Sequence, residues 1–393
     1  MTERTTDSRP LHESDLSPAG RRQALPSPRL PSVPKVEHGG PDFAELAALG
    51  IRADAIFDFS VNKNPLGTSR RSLRALSLVE PSNYPDARCL RLRAGLGAAH
   101  DVQPEEILVG NGSVELIWLL AQVYLAPGDT AVVVGPTFGE YEAGARRAGA
   151  NVVQVDAREE DGFRLDLARI VATVEDARPR VVYLCNPNNP TGQALEPDEV
   201  GQLLAAVGDG LLVVDEAYVE LAEGVESALP LRADDRRLVV LRSLTKSHGL
   251  AGLRLGYLVA DRQVVESVGQ AQPPWSVNAF AQAAGMAALG DEEHVQEGRR
   301  LARRARAVLV DGLERLGFSC VPSRASYWLV RVGDGRQVRD ELLRRGMLVR
   351  DCRSFGLPGY IRVAARPLEE CERLLAALNW LISSGVVQVD TGA

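Results

Sequence analysis

The stretch Leu211-Leu212-Val213-Val214-Asp215-Glu216-Ala217-Tyr218 decides the fold class. Four consecutive apolar residues leave no polar face, so they suit a short strand covered on both sides, and they stop at a carboxylate. Neighbouring segments repeat the design. Val181–Cys185 runs into Asn186-Pro187-Asn188-Asn189-Pro190, residues 130–134 end at Gly135-Pro136, and residues 238–241 end just before Ser243. Residues 105–109 read as another strand, leading into Gly110-Asn111-Gly112-Ser113, and residues 151–155 as a further one. Between them, residues 114–124, 138–148 and 197–207 have helical spacing. Short apolar runs separated by amphipathic helices imply βαβ units: an α/β fold with a mostly parallel sheet flanked by helices.

Further along the chain the pattern changes. A long helix over residues 292–316, strands over 326–332, 348–350 and 360–364, and a closing helix over 368–383 describe a smaller α+β domain. The expected layout is a disordered tail (1–34), an N-terminal arm with part of the small domain (35–75), a large domain (76–275), the small C-terminal domain (276–385) and a tail (386–393). The first 34 residues are rich in Pro, Ser and Arg and hold too little apolar surface to fold alone. They also lack the apolar run of a secretory signal. With 45 Lys and Arg against 52 Asp and Glu, the net charge is −7, which disfavours a nucleic-acid binder. Arg299, Arg300, Arg303, Arg304 and Arg306 read as a solvated helix face beside acids. No apolar stretch reaches the length of a membrane span. The five cysteines, at 89, 185, 320, 352 and 371, form no C-x-x-C pair, so neither zinc nor a disulfide framework is expected. A cytoplasmic location and no metal site are the expectations.

Ligands of open parallel sheets sit beyond the carboxyl ends of the strands. Four such ends carry distinctive groups. Gly110-Asn111-Gly112-Ser113 is either a phosphate cradle at a helix N-terminus or a tight turn capped by Ser113. In Asn189-Pro190-Thr191-Gly192 the turn itself needs Pro and Gly, so Asn189, whose amide can donate to a ligand oxygen, is the informative residue. Asp215 is a helix cap or a partner for a buried cation, with the Tyr218 phenol close by in sequence. Ser243-Leu244-Thr245-Lys246 is followed by Arg254 within a Gly-rich stretch. A carboxylate for a ring cation, a lysine able to form an imine, and an arginine plus backbone donors for a phosphate together match pyridoxal 5'-phosphate.

With these motifs the chain resembles the fold-type I pyridoxal-phosphate enzymes of aminotransferase class I/II, the group that includes histidinol-phosphate aminotransferase and threonine-phosphate decarboxylase. The resemblance runs from about residue 38 to about residue 381. It implies that Lys246 carries the cofactor and then acts as acid and base, and that Asp215 keeps the pyridine nitrogen protonated. It implies that Tyr218 and Asn189 bond the ring hydroxyl and that Phe138 stacks on the ring. Gly112, Ser113, Ser243, Thr245 and Arg254 would hold the cofactor at its phosphate end. Tyr84, in Asn83-Tyr84-Pro85-Asp86, resembles a tyrosine reaching the phosphate from a partner subunit, which implies a homodimer with shared active sites. Arg362 resembles the clamp for the substrate carboxylate, a planar anion that suits a guanidinium fork.

The substrate side involves Asn62 and Lys63, in Asn62-Lys63-Asn64-Pro65, together with His38 and Arg350. His38-Gly39-Gly40 and Arg350-Asp351-Cys352 look more like threonine-phosphate decarboxylase, of the cobalamin pathway. The expected function is therefore a PLP-dependent decarboxylase of a small phosphorylated amino acid. The alternative is an aminotransferase for histidinol phosphate or an aromatic amino acid, working with glutamate and 2-oxoglutarate. Lys63 departs from both groups: the amino-transferring relatives usually have an acid there and the decarboxylases an apolar residue. A dinucleotide-binding oxidoreductase fits poorly: no G-x-G-x-x-G follows an early strand, and Lys246 with Asp215 would be left unexplained. A regulatory protein with a DNA-binding domain ahead of an enzyme-like part would need a longer, more regular N-terminus than this one.

Overall fold

The apolar runs become the central strands of a seven-stranded sheet in a computed structural model that describes residue 33 and residues 35–388. The tail expected over residues 1–34 thus lies outside the described residues, apart from Val33.

In chain order, α1 (Phe43–Leu49), β1 (Phe57–Asp58), α2 (Arg70–Leu76) and α3 (Leu90–His100) come first. The large body continues through β2 (Ile107–Gly110), α4 (Ser113–Tyr124), β3 (Thr130–Gly135), α5 (Glu140–Arg147), β4 (Asn151–Asp156) and α6 (Leu167–Ala177). It goes on through β5 (Val181–Cys185), α7 (Pro197–Ala206), β6 (Leu211–Asp215), β7 (Leu238–Ser243) and the single turn α8 (Leu244–Ser247). Then come β8 (Gly256–Val259), α9 (Arg262–Ala271) and α10 (Ala279–Leu289). The C-terminal part holds α11 (Glu292–Arg315), β9 (Ser319–Cys320), β10 (Tyr327–Arg331), α12 (Gly335–Leu343), β11 (Met347–Leu348), β12 (Arg350–Asp351), β13 (Tyr360–Ala364) and α13 (Leu368–Ser383).

The large sheet has the order β2-β8-β7-β6-β5-β3-β4. Strands β3 to β7 pair in parallel, while β8 runs antiparallel to both β7 and β2. Every residue of β5, β6 and β7 is buried. Alternation sends Tyr183, Val213 and Val239 into one core with α4, and Val182, Val214 and Val240 into a second core with α7. Two-faced burial is why these strands read as unbroken apolar runs.

In the smaller body, β12-β13-β10-β9 form an antiparallel sheet covered by α11 and α13. The N-terminal arm joins it: β1 pairs in parallel with β11, Phe57 opposite Met347, and Phe59 sits in the same core. Three expected boundaries move, the first being that α2, expected in the arm and small domain over 35–75, packs on α10 of the large body. α10 packs on α2 and α3 of the large body, where Ala281, Ala284 and Ala288 share a core with Leu92, Ile107 and Tyr257. The small domain therefore begins at α11 and not at residue 276. Val387 is buried against α13 and the Val386 carbonyl accepts from Gln337, so ordered packing extends past residue 385. The α11 arginines meet acids as expected: Arg300 and Arg304 pair with Glu297, and Arg306 with Glu223. Among the described residues, no helix is long and apolar enough to cross a membrane, and no group of side chains could hold a metal ion.

Candidate active site

The carboxyl ends of β2, β5, β6 and β7 open onto a cavity of about 810 Å³ shared by both bodies. At one end, β2 turns through Asn111 and Gly112 into α4. Gly112 has φ of 81°, and a Cβ there would lie 2.6 Å from the Arg254 guanidinium, so the arginine packs directly on the turn. Gly256 lets β8 press on the same point, since its Cβ would lie 2.4 Å from the Ser113 nitrogen. Ser243 and Thr245 add hydroxyls 2.7 Å apart at the end of β7. A helix N-terminus, a guanidinium and these hydroxyls make a site for a phosphate. Burial lowers the Arg254 pKa without threatening its charge.

The middle of the cavity holds an acid and an amine. Asp215 is buried, accepting from the Tyr141 hydroxyl at 2.7 Å and the Ala217 nitrogen at 3.0 Å. Burial raises it to about 6, against the pull of those two hydrogen bonds and of the Lys246 charge. Lys246 opens into the cavity with its ammonium 5.8 Å from the centre of the Tyr218 ring. Burial lowers it to about 8, helped by the positive charges of Arg362, Arg254 and Lys63 and opposed by Asp215. Neither group has an ion-pair partner among the described residues. A buried carboxylate without a cation is expensive. A planar ligand with a cationic ring nitrogen, an aldehyde and a phosphate would satisfy the acid, the amine and the cradle together, so the donor set fits the expected cofactor. Phe138 lines the same space, its ring 5.7 Å from Tyr141 and edge-on to it.

On the small-domain side, Arg362 donates to the Asn189 side-chain oxygen and, at 2.6 Å, to the Ser60 carbonyl. That leaves only the Asn189 NH2 to donate to a ligand. Arg350 donates to the Glu37 carbonyl at 2.9 Å and to Ser354 at 2.6 Å. His38 lies 2.8 Å from Glu140, whose other oxygen accepts from Trp118 at 2.7 Å. Burial pushes the Glu140 carboxyl up, but its His38 and Trp118 partners hold it below the ordinary value. Asn62 is 1% exposed, and its amide faces the Tyr218 phenol without meeting full hydrogen-bond geometry. Lys63 lines the cavity beside it.

The family model described as aminotransferase class I and II matches residues 56–378. The chain belongs to this family. A histidinol-phosphate aminotransferase of Symbiobacterium thermophilum is 40% identical over 328 residues, 82% of this chain and 90% of that protein. Among solved structures, the histidinol-phosphate aminotransferase of Sinorhizobium meliloti in complex with pyridoxal-5'-phosphate superposes with a TM-score of 0.80 at 23% identity, covering 87% of this chain and 94% of that one. The L-threonine-O-3-phosphate decarboxylase of Porphyromonas gingivalis gives 0.73 at 27% identity, covering 83% and 99%. The fold is fold-type I, and this aminotransferase-family chain is an enzyme that uses pyridoxal 5'-phosphate.

Of the family residues expected from the sequence, all but two line the one cavity. Gly112 is not in the lining but sits between Asn111 and Ser113, which are, and packs against Arg254. Tyr84 is 79% exposed, its ring tilted against Trp275 with centroids 4.8 Å apart, and does not reach the cavity of its own chain. Several neighbours were missed. Tyr141, which holds Asp215, lies 74 positions away in sequence and reads as an ordinary helix residue. Its one signal is the three-residue spacing from Phe138, which lies just ahead of α5 and whose carbonyl accepts from the Tyr141 nitrogen at 3.3 Å. Glu140 and Trp118, which tether His38, left no local pattern.

Proposed function

We propose that this chain transfers the amino group of histidinol phosphate to 2-oxoglutarate. The observation that carries this reading is the 40% identity to a histidinol-phosphate aminotransferase over 90% of its length, with further relatives of that name at 34–36%. When bound, the protonated pyridoxal ring withdraws electron density from the substrate Cα. The chain's own residues do the rest. Lys246 captures the cofactor and moves the proton at Cα. Asp215, held by Tyr141, keeps the ring nitrogen charged. Tyr218 and the Asn189 NH2 take the ring hydroxyl, and Phe138 packs on the ring. Gly112, Ser113, Ser243, Thr245 and Arg254 hold the phosphate. Arg362 takes the carboxylate of glutamate, and His38, Asn62, Lys63 and Arg350 line the substrate side. The working unit is a homodimer in which Tyr84 reaches the opposite site, and the location that suits this chemistry is the cytoplasm.

Decarboxylation of threonine phosphate is the second reading. It is favoured by His38 and Arg350, which line the cavity, and by the likeness to the decarboxylase structure. The two readings separate in one experiment. The holoenzyme is given histidinol phosphate with 2-oxoglutarate, or O-phosphothreonine alone. Glutamate is expected from the first mixture and no CO₂ from the second. CO₂ from O-phosphothreonine, with no glutamate from the first mixture, would replace transamination by decarboxylation.

A further inference from the structure

We propose that Lys63 binds a second, distal anionic group on the substrate, beyond the anion that Arg362 takes. Lys63 lines the cavity, and among the described residues its ammonium has neither an ion-pair nor a hydrogen-bond partner. Of the other cations there, Lys246 is the amine for the cofactor, and the three arginines are held by the protein. Arg254 packs on the phosphate turn, Arg362 is bonded to Asn189 and Ser60 through its two terminal nitrogens and keeps its Nε for one anion, and Arg350 is tied to the Glu37 carbonyl and Ser354. The inner acids are engaged too. Asp58 accepts from the Ser60 nitrogen at 2.8 Å and hydroxyl at 2.6 Å, Glu115 from the Asn111 nitrogen at 2.8 Å, and Asp215 from Tyr141 at 2.7 Å. Glu37, the remaining acid, lies on the exposed strand of chain at the rim.

A second observation points the same way. Asn62, next in sequence and lining the same cavity, is 1% exposed, and its amide faces the Tyr218 phenol without meeting full hydrogen-bond geometry. Buried polar groups are nearly always bonded, so an amide with bonding capacity left over in a cavity wall marks a place for a ligand. The charge of Lys63 also acts on Lys246, a like-charge repulsion that an incoming anion cancels. Arg362 can take one anion. Substrates that carry two, a dicarboxylate such as glutamate or an O-phospho amino acid, have a second to offer Lys63. Histidinol phosphate carries one anionic group, so on the reading proposed above, on which this inference rests, Lys63 acts in the dicarboxylate half of the reaction. The two possible sources of the distal anion, a carboxylate and a phosphate, share this chemistry.

The test compares wild type, Lys63→Ala and Lys63→Arg as holoenzymes. Each is assayed in single half-reactions with glutamate against alanine, and with O-phosphothreonine against threonine. Glutarate binding is followed by calorimetry as a readout that needs no turnover. Lys63→Ala is expected to weaken glutamate about tenfold, ~1.4 kcal/mol, and glutarate alike. Alanine should lose far less, since only the effect of Lys63 on the Lys246 charge operates there, and Lys63→Arg should restore most of the loss. A loss confined to O-phosphothreonine would support the proposal with phosphate as the anion. Equal losses for glutamate and alanine, or none in any pair, would overturn it. If histidinol phosphate proves inert while the glutamate-to-alanine ratio falls, the proposed function fails and the role of Lys63 stands.

Discussion

At Lys246, the burial that lowers the amine to about 8 also governs when the protein can take up its cofactor. Only the neutral amine attacks an aldehyde, and below that value each pH unit removes nine-tenths of it. Asp215, raised to about 6, is ionised over most of this range and can receive a cationic ring. Covalent capture by the cofactor-free protein should therefore speed up about tenfold per pH unit between roughly 6 and 8 and level off above 8. Stopped-flow absorbance after mixing with pyridoxal phosphate measures this directly. A rate flat from pH 6 to 9 would mean that the amine is not the group being deprotonated. At this scale the sequence was informative because motif residues sit at strand ends, where their types have few other uses. It was silent on Tyr141, because a hydroxyl that bonds a carboxylate 74 positions away leaves no spacing to read.

The central strands were legible because covering a parallel strand on both faces forces every position to be apolar. Strand β8 escaped that logic. It follows β7 through a single helical turn and a loop, with no crossover helix, and runs antiparallel. α10 was misassigned for a related reason: its alanine face is compatible with either body, and only its packing on α2 and α3 decides. β8 nonetheless shapes the phosphate end of the site, and one glycine makes this possible. A Cβ at Gly256 would meet the Ser113 nitrogen at 2.4 Å and the Arg242 carbonyl at 3.0 Å. Both are backbone atoms and cannot swing away as a side chain could. Gly256→Ala must then push the start of α4 from β7, the two elements proposed to hold the phosphate. We expect a loss of about 2–3 kcal/mol in urea unfolding and faster cofactor loss on dialysis. An alanine variant with unchanged stability and cofactor retention would show that the two elements can part freely.

For the molecule as a whole, the two bodies followed from the change of pattern along the chain. The parallel pairing of β1 with β11 did not, because two-residue strands nearly 300 positions apart carry no periodicity. The surface of a single chain also carries apolar side chains that its own fold leaves uncovered. Leu73, Leu78, Tyr84 and Leu90 lie on or between α2 and α3, Leu78 is 85% exposed, and Trp275 packs against Tyr84. Scattered apolar residues are ordinary on a surface, but four exposed within eighteen positions of chain, one of them in an exposed aromatic pair, make this segment a candidate interaction face. If that face joins two copies, Tyr84 is where one chain can reach the other's cofactor phosphate. Wild type should then sediment at twice the chain mass. Trp275→Glu, which places a charge in the aromatic pair, should shift it toward single chains and weaken cofactor retention together. Tyr84→Phe should keep the dimer and lose only the hydroxyl's share of that retention. A wild type that sediments as single chains while holding its cofactor tightly would remove the shared-site arrangement altogether.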